Sequence, residues 1–130
     1  MRRASQDGSA SAQLTIAVPA LMFLIVVAVQ FALWQHASAV TKAAAEEGVR
    51  AARVEGGSAA DGEAEARGFL SQAGPSIVGA PGVSARRSFD EARVEVTGTA
   101  ISLVPWLHLP VRAIAASPTE EYRGIPGVGP

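Results

Sequence analysis

The stretch from Leu14 to Trp34, LTIAVPALMFLIVVAVQFALW, decides the fold of this chain. It carries no formal charge, and its clearly polar side chains are Thr15 and Gln30. A helix of about 20 residues covers the roughly 30 Å hydrocarbon core of a bilayer, whereas a buried helix of a soluble domain rarely needs so unbroken an apolar run. The stretch therefore predicts one transmembrane helix over residues 14–34, preceded by a leader-like segment over residues 1–13.

Charged residues near the apolar run predict its orientation. Arg2 and Arg3 precede the run, and only Asp7 opposes them. Because positive flanks stay on the cytoplasmic side, we expect the N-terminus in the cytoplasm and the C-terminal part outside it. Basic residues also follow the run, but a translocated segment of this length responds little to them. Trp34 and His36 are expected at the headgroup boundary rather than in a catalytic site.

A cleaved secretory signal is the alternative to a retained anchor. The triplet Ala37-Ser38-Ala39 resembles a signal-peptidase site, and a cut there would leave Val40 at the mature N-terminus. The apolar core of a signal sequence is about 7 to 15 residues long, and this run exceeds that length. The length favours the anchor, while the Ala-rich sequence makes such triplets common by chance.

The helical pattern continues beyond the run, which predicts an outward extension over residues 35–55. Glu46 stands four residues before Arg50, at a spacing that favours an ion pair along a helix. Ala44, Gly48 and Ala52 repeat at a spacing of four and form a stripe of small residues on one face. Such a stripe lets another helix approach closely, although Ala-rich composition alone would also produce it.

Pro19 lies inside the apolar run. Proline removes one backbone hydrogen bond and can kink a membrane helix, which a neighbouring helix then covers. Together with the stripe of small residues, Pro19 is therefore a predicted helix-packing position.

The remaining chain predicts a small ectodomain over residues 58–116 and a flexible Pro/Gly-rich tail over residues 117–130. Gly56-Gly57 ends the long helix, and Ser58 with Asp61 resembles the cap of a short helix over residues 59–73. A turn is predicted at Gly79–Gly82, and the predicted antiparallel strands are residues 83–88, 92–99 and 111–116. The expected fold class is α+β, with the apolar face of the second strand lying against the long helix.

Composition argues against several function classes. The formal net charge is −1 with no basic stripe, which does not favour nucleic-acid binding, and there is no cysteine for a thiolate or zinc-thiolate site. His108 stands alone in an apolar stretch, and the acidic residues near Asp61 lack the spacing of a calcium loop. We therefore expect no catalytic, cofactor or metal residues, no small-molecule substrate and no enzymatic activity.

Two segments carry a family resemblance: residues 8–19, GSASAQLTIAVP, and residues 44–52, AAEEGVRAA. They resemble the TadE/TadG-like pseudopilins, bacterial proteins of tight-adherence (Flp-type) pilus assembly. Members of that family typically read G-x-x-A-V-E-F-A-L-V-L-P, then an apolar run, then A-A-x-E-G-A-R-A-A. The resemblance covers about residues 7–54, and the C-terminal part is similar only in its outline of a helix followed by strands.

The resemblance implies a processing site as well as a function. In pilin-like proteins a membrane peptidase cuts after the glycine, which here lies between Gly8 and Ser9, and a glutamate five positions on is linked to processing or assembly. Gln13 occupies that position and lacks the charge, which argues against cleavage. The implied role is a structural or assembly component in the bacterial cell membrane, with the bilayer and other pilus subunits as partners. The alternative is a secreted or anchored module whose apolar segment over residues 101–109 binds an envelope ligand.

Overall fold

The computed structural model describes residues 2–73 and 75–120, with side chains from Gly8 onward. It consists of two helices followed by three strands, which confirms the predicted α+β class. The elements are α1 (Arg2–Arg53), α2 (Ala59–Ala73), β1 (Val78–Arg87), β2 (Glu91–Ala100) and β3 (Leu109–Pro118). The chain divides into two compact units, Met1–Ala32 and Leu33–Pro130, and the second is called the folded unit below.

Helix α1 runs without interruption through the apolar stretch and through Pro19. Just before the proline, the Thr15 hydroxyl donates a hydrogen bond to the Ser11 carbonyl at 2.8 Å, a bond back to the preceding turn. The helix is long and apolar enough to cross a membrane between Gly8 and Arg53, and 6% of its most apolar window is buried. A single candidate span near the N-terminus fits a single-pass membrane protein.

The predicted junction between the two helices is confirmed in its local geometry. Gly56 has a φ of 78°, and the Gly57 amide donates to the Val54 carbonyl at 2.9 Å, which closes the end of α1. At the start of α2 the Asp61 amide donates to the Ser58 hydroxyl at 3.1 Å, and the Ser58 amide donates to the Asp61 carboxylate at 3.0 Å. This reciprocal pair is a capping box, here with Asp in the acidic position.

The strands form one antiparallel sheet in the order β1-β2-β3. All three strands were predicted, and each extends beyond its predicted bounds. A short turn joins β1 to β2, in which the Glu91 amide donates to the Ser88 hydroxyl at 3.1 Å. Strands β2 and β3 pair along their whole length, from Glu91 opposite Pro118 to Ala100 opposite Leu109. The segment between these two strands is called the β2–β3 loop, residues 101–108.

The predicted turn at Gly79–Gly82 is wrong, because these residues belong to β1. The pairing of β1 with β2 shifts its register between Gly79 and Gly82, and Ala80 has a φ of 45°. The segment is therefore a bulge in an edge strand, where the missing amide hydrogen of Pro81 is tolerated. Turn residues in sequence mark a bulge as readily as a loop when the next strand continues the pairing.

The predicted flexible tail begins too early. Ser117 and Pro118 belong to β3, and the Glu120 amide donates to the Arg53 carbonyl at 2.7 Å. The Arg53 guanidinium also lies 3.4 Å from the Glu120 carboxylate and donates to the Ser117 hydroxyl at 3.3 Å. These contacts attach residues 117–120 to the end of α1. The rest of the predicted tail, residues 121–130, lies outside the described residues.

The core of the folded unit is made of small side chains. Val94 and Val96 on β2 and Thr41 on α1 are its largest fully buried side chains. The Thr41 hydroxyl donates to the Ala37 carbonyl at 2.7 Å, so its burial leaves no unpaired polar group. As predicted, the apolar face of β2 packs against α1, where the buried residues of the helix are Ala37, Ala44, Ala45, Val49 and Ala52.

Candidate assembly surface

The apolar part of α1 offers its side chains to the surroundings. From Gly8 to Val29 every described residue is exposed, including Phe23 at 68% and Met22 at 62%. Gln30 is the buried exception, at 6%. So much exposed apolar surface is unfavourable in water, and lipid or the helices of other proteins are the surroundings that it suits. This stretch, residues 14–29, is the candidate assembly surface.

The residues of the implied processing site lie on the first turns of α1. Gly8, Ser9 and Gln13 are all exposed. A β-carbon added at Gly8 would meet nothing within 4 Å, so packing within the chain does not require glycine there. Glycine in a helix interior costs about 1 kcal/mol relative to alanine. The open surroundings leave this position accessible to another molecule.

The stripe of small residues is placed differently from the expectation that it contacts a partner subunit. Ala44 and Ala52 are fully buried, and a β-carbon on Gly48 would lie 2.9 Å from the Gly62 carbonyl oxygen of α2. It would also lie 3.1 Å from Ala66 on the same helix. The stripe therefore receives α2 of the same chain, and it is not a free surface for another protein.

Two residues of α2 complete this close approach and were not singled out from the sequence as its counterparts. A β-carbon on Gly62 would lie 2.9 Å from the Ala52 methyl and 3.0 Å from the Gly48 carbonyl oxygen. Ala66 is fully buried. The signal was present, because Gly62 and Ala66 repeat the spacing of four that marks the stripe on α1. Two small-residue stripes in one short chain are expected to face each other.

The charged side chains next to the stripe lie at the surface. Arg50 pairs with Glu47 at 2.7 Å, three residues before it, and not with Glu46 as the spacing suggested. This pair is exposed and contributes little to stability. Among residues 2–73 and 75–120, there is no group of three His, Asp or Glu side chains that could hold a metal ion. His108 and His36 are both exposed.

Trp34 begins the folded unit and is tied to it. Its indole N–H donates to the Pro110 carbonyl at 3.3 Å, at the start of β3. Three residues later, Ala37 is fully buried in the core. The segment that directly follows the apolar run is therefore part of the packed structure of the folded unit.

Residues 8–50 match the model of a family described as TadE-like protein. This chain carries a TadE-like segment. The match begins at Gly8, includes Gln13, Pro19, Ala44 and Gly48, and ends before Ala52. It confirms the family resemblance over the candidate assembly surface and the first part of the stripe. The comparison with curated proteins and the comparison with solved structures found no match.

The TadE-like segment points to a component associated with the Tad pilus. It ends at residue 50, so α2 and the three strands lie beyond it. The exposed apolar helix and the family likeness therefore occupy the same part of the chain, while the folded unit has its own sheet and core.

Proposed function

We propose that this protein is a structural or assembly component, similar to a minor pseudopilin, of a tight-adherence pilus or a related secretion system. In this proposal residues 14–34 cross the cell membrane and pack there against other subunits. The observation that carries the proposal is the coincidence of the TadE-like match with a helix whose apolar side chains are exposed on all sides. The role requires no catalysis.

The packing of the folded unit supports a retained anchor over a cleaved secretory signal. A cut after Ala39 would remove Trp34, which bonds to Pro110, and Ala37, whose carbonyl accepts the Thr41 hydroxyl. Deleting buried groups leaves a cavity and unpaired polar atoms, which costs several kcal/mol in comparable cores. A secreted chain starting at Val40 would lose part of its own core.

The charges before the apolar run support an N-terminus in the cytoplasm and a folded unit outside it. The chain has no cysteine, so single-cysteine variants report topology cleanly. Ser84→Cys on the exposed edge of β1 should react with a membrane-impermeant maleimide in spheroplasts, and Ser11→Cys should react only after lysis. The reverse labelling pattern would overturn this orientation.

Co-isolation from native membranes tests the assembly role. The tagged full-length chain is extracted in a mild detergent from cells that produce the pilus machinery, and the co-purified proteins are identified by mass spectrometry. We expect membrane subunits of the pilus machinery to co-purify. A matched control carries the tag on an unrelated single-pass protein. Isolation of the chain alone, at the level of that control, would contradict the proposal.

A further inference from the structure

The β2–β3 loop exposes large apolar side chains at the surface of the folded unit. Trp106 is 79% exposed and Leu103 is 52% exposed. The loop contains no Asp, Glu, Lys or Arg, and its one titratable side chain is His108. Exposed apolar clusters of this kind mark contacts with another protein or with a membrane.

Internal hydrogen bonds give this loop a defined shape. The Ser102 hydroxyl donates to the Val104 carbonyl at 2.8 Å and accepts from the Val104 amide at 3.1 Å. The Leu107 amide donates to the Val104 carbonyl at 3.0 Å, which closes a turn with Pro105 and Trp106 at its centre. Because these backbone groups are already paired, moving the loop into a less polar environment costs less than it would for an open loop.

Two contacts establish at which end of the folded unit the loop lies. Trp34 of α1 bonds to Pro110 at the start of β3, and Arg53 of α1 bonds to Ser117 near its end. The contacts are about 28 Å apart along the helix and about 23 Å apart along the strand, so the two elements run side by side in the same direction. The β2–β3 loop precedes β3 and therefore lies at the Trp34 end.

The Trp34 end is also where the chain passes from the apolar run into the folded unit. Trp106 precedes Pro110 by four residues, a reach of at most about 14 Å. The headgroup layer on each side of a bilayer is about 5–7 Å thick, and tryptophan is enriched there because its ring is apolar and its N–H is polar. This placement holds whichever side of the membrane carries the folded unit.

We propose that the β2–β3 loop inserts Trp106 and Leu103 into the headgroup layer of the phospholipid bilayer that α1 crosses. The folded unit then has a second attachment to lipid besides the helix. Trp34 and Trp106 form one interfacial pair, drawn from opposite halves of the chain. The inference rests on the proposed membrane insertion of α1, and the experiment separates the two.

Tryptophan fluorescence of the full-length chain in phosphatidylcholine–phosphatidylglycerol vesicles tests the proposal. The chain has two tryptophans, so Trp34→Phe leaves Trp106 as the single reporter. The control places the reporter at the β1–β2 turn, at the other end of the sheet, by combining Phe89→Trp with Trp34→Phe and Trp106→Phe. Phe89 is 63% exposed, comparable to Trp106, so the two reporters differ mainly in position.

We expect Trp106 emission to shift to shorter wavelength and to lose intensity when the lipids are brominated near the headgroup. The Phe89→Trp reporter should keep the emission of an aqueous tryptophan and respond only to a soluble quencher. If the protein floats with the vesicles and both reporters behave alike, the inference is overturned while membrane insertion stands. If the protein does not float, membrane insertion fails and the inference fails with it.

Two further readings keep the result unambiguous. Protection of Trp106 that disappears when the protein is diluted in lipid would assign the loop to a second copy of the chain and overturn the proposal. Because Trp34→Phe removes the bond to Pro110, the unaltered sequence is also labelled with 5-fluorotryptophan, and Trp106→Phe assigns the two ¹⁹F signals. Broadening of the Trp106 signal by a paramagnetic headgroup lipid supports insertion, and an unchanged signal contradicts it.

Discussion

Gly48 is the residue at which the two helices of the folded unit come closest. Its surroundings hold a backbone carbonyl from Gly62 and side chains from Ala66 and Val94, all within about 3.1 Å of an added β-carbon. A carbonyl cannot swing away as a flexible side chain can, so the site has no room for a methyl group. Glycine here serves packing and not backbone flexibility.

Gly48→Ala is therefore expected to lower the free energy of unfolding by about 1–2 kcal/mol, the overpacking cost less the gain in helix propensity. Gly68→Ala is the matched control, because a β-carbon at Gly68 meets nothing within 4 Å. That change should leave stability unchanged or raise it by up to about 1 kcal/mol. Thermal unfolding of the full-length chain in detergent measures both, and equal effects would contradict the account of Gly48.

Gly8 has open surroundings, and its role in this account concerns processing and not packing. Because Gln13 lacks the charge of the family glutamate, we expect the mature chain to retain residues 1–8. Gln13→Glu is expected to shift the N-terminus to Ser9, and adding Gly8→Ala to that variant should restore the uncut form. Intact-mass spectrometry of the purified protein measures each product.

The outcomes of the processing experiment are distinct. Gly68→Ala in the Gln13→Glu background controls for the addition of a methyl group to an exposed helical glycine and should leave cleavage unaffected. An unaltered chain that begins at Ser9 would show that the charge is dispensable. A chain that begins at Val40 would support a secreted protein and contradict the retained anchor.

At the scale of elements, α2 depends on its cap. The Ser58 hydroxyl accepts the Asp61 amide at 3.1 Å, and the helix it starts covers the stripe of small residues on α1. Ser58→Ala is expected to destabilise the folded unit by about 1 kcal/mol. Ser71→Ala is the control, because the Ser71 hydroxyl donates to the Gly68 carbonyl at 2.9 Å near the other end of the same helix and caps nothing there.

Circular dichroism during thermal unfolding separates these two serines. The Ser58→Ala transition should move to lower temperature while the Ser71→Ala transition stays near that of the unaltered chain. If both variants unfold at the same temperature, the cap does not contribute to the stability of the folded unit.

Elements marked by local chemistry could be predicted from the sequence. The cap at Ser58 and the glycines after Val54 bound α2 and α1 through contacts between residues a few positions apart. The start of β1 could not be predicted in the same way. Its first residues read as a turn, and only pairing with β2, as in Val78 opposite Ala100, makes them a strand. Long-range pairing carries no local signature at such a bulge.

At the scale of the whole molecule, the exposed apolar run and the family match could both be predicted because they depend on residues 8–50 alone. The partner of the small-residue stripe could not. Its spacing shows that a helix can approach closely, but not whether that helix belongs to the same chain. The structure assigns it to α2, and this moves the candidate assembly surface to the apolar side chains before Trp34.

Site-specific photo-cross-linking in cells tests the assembly role of that surface most directly. A photoreactive amino acid is placed in turn at four consecutive exposed positions, Met22, Phe23, Leu24 and Ile25, which point about 100° apart around the helix and so sample its whole circumference. Position 89, at the β1–β2 turn, is the control. The account predicts that at least one of the four positions forms an adduct with another membrane subunit of the pilus machinery while position 89 does not. Adducts with lipid alone at all four positions, in cells that assemble the machinery, would contradict it.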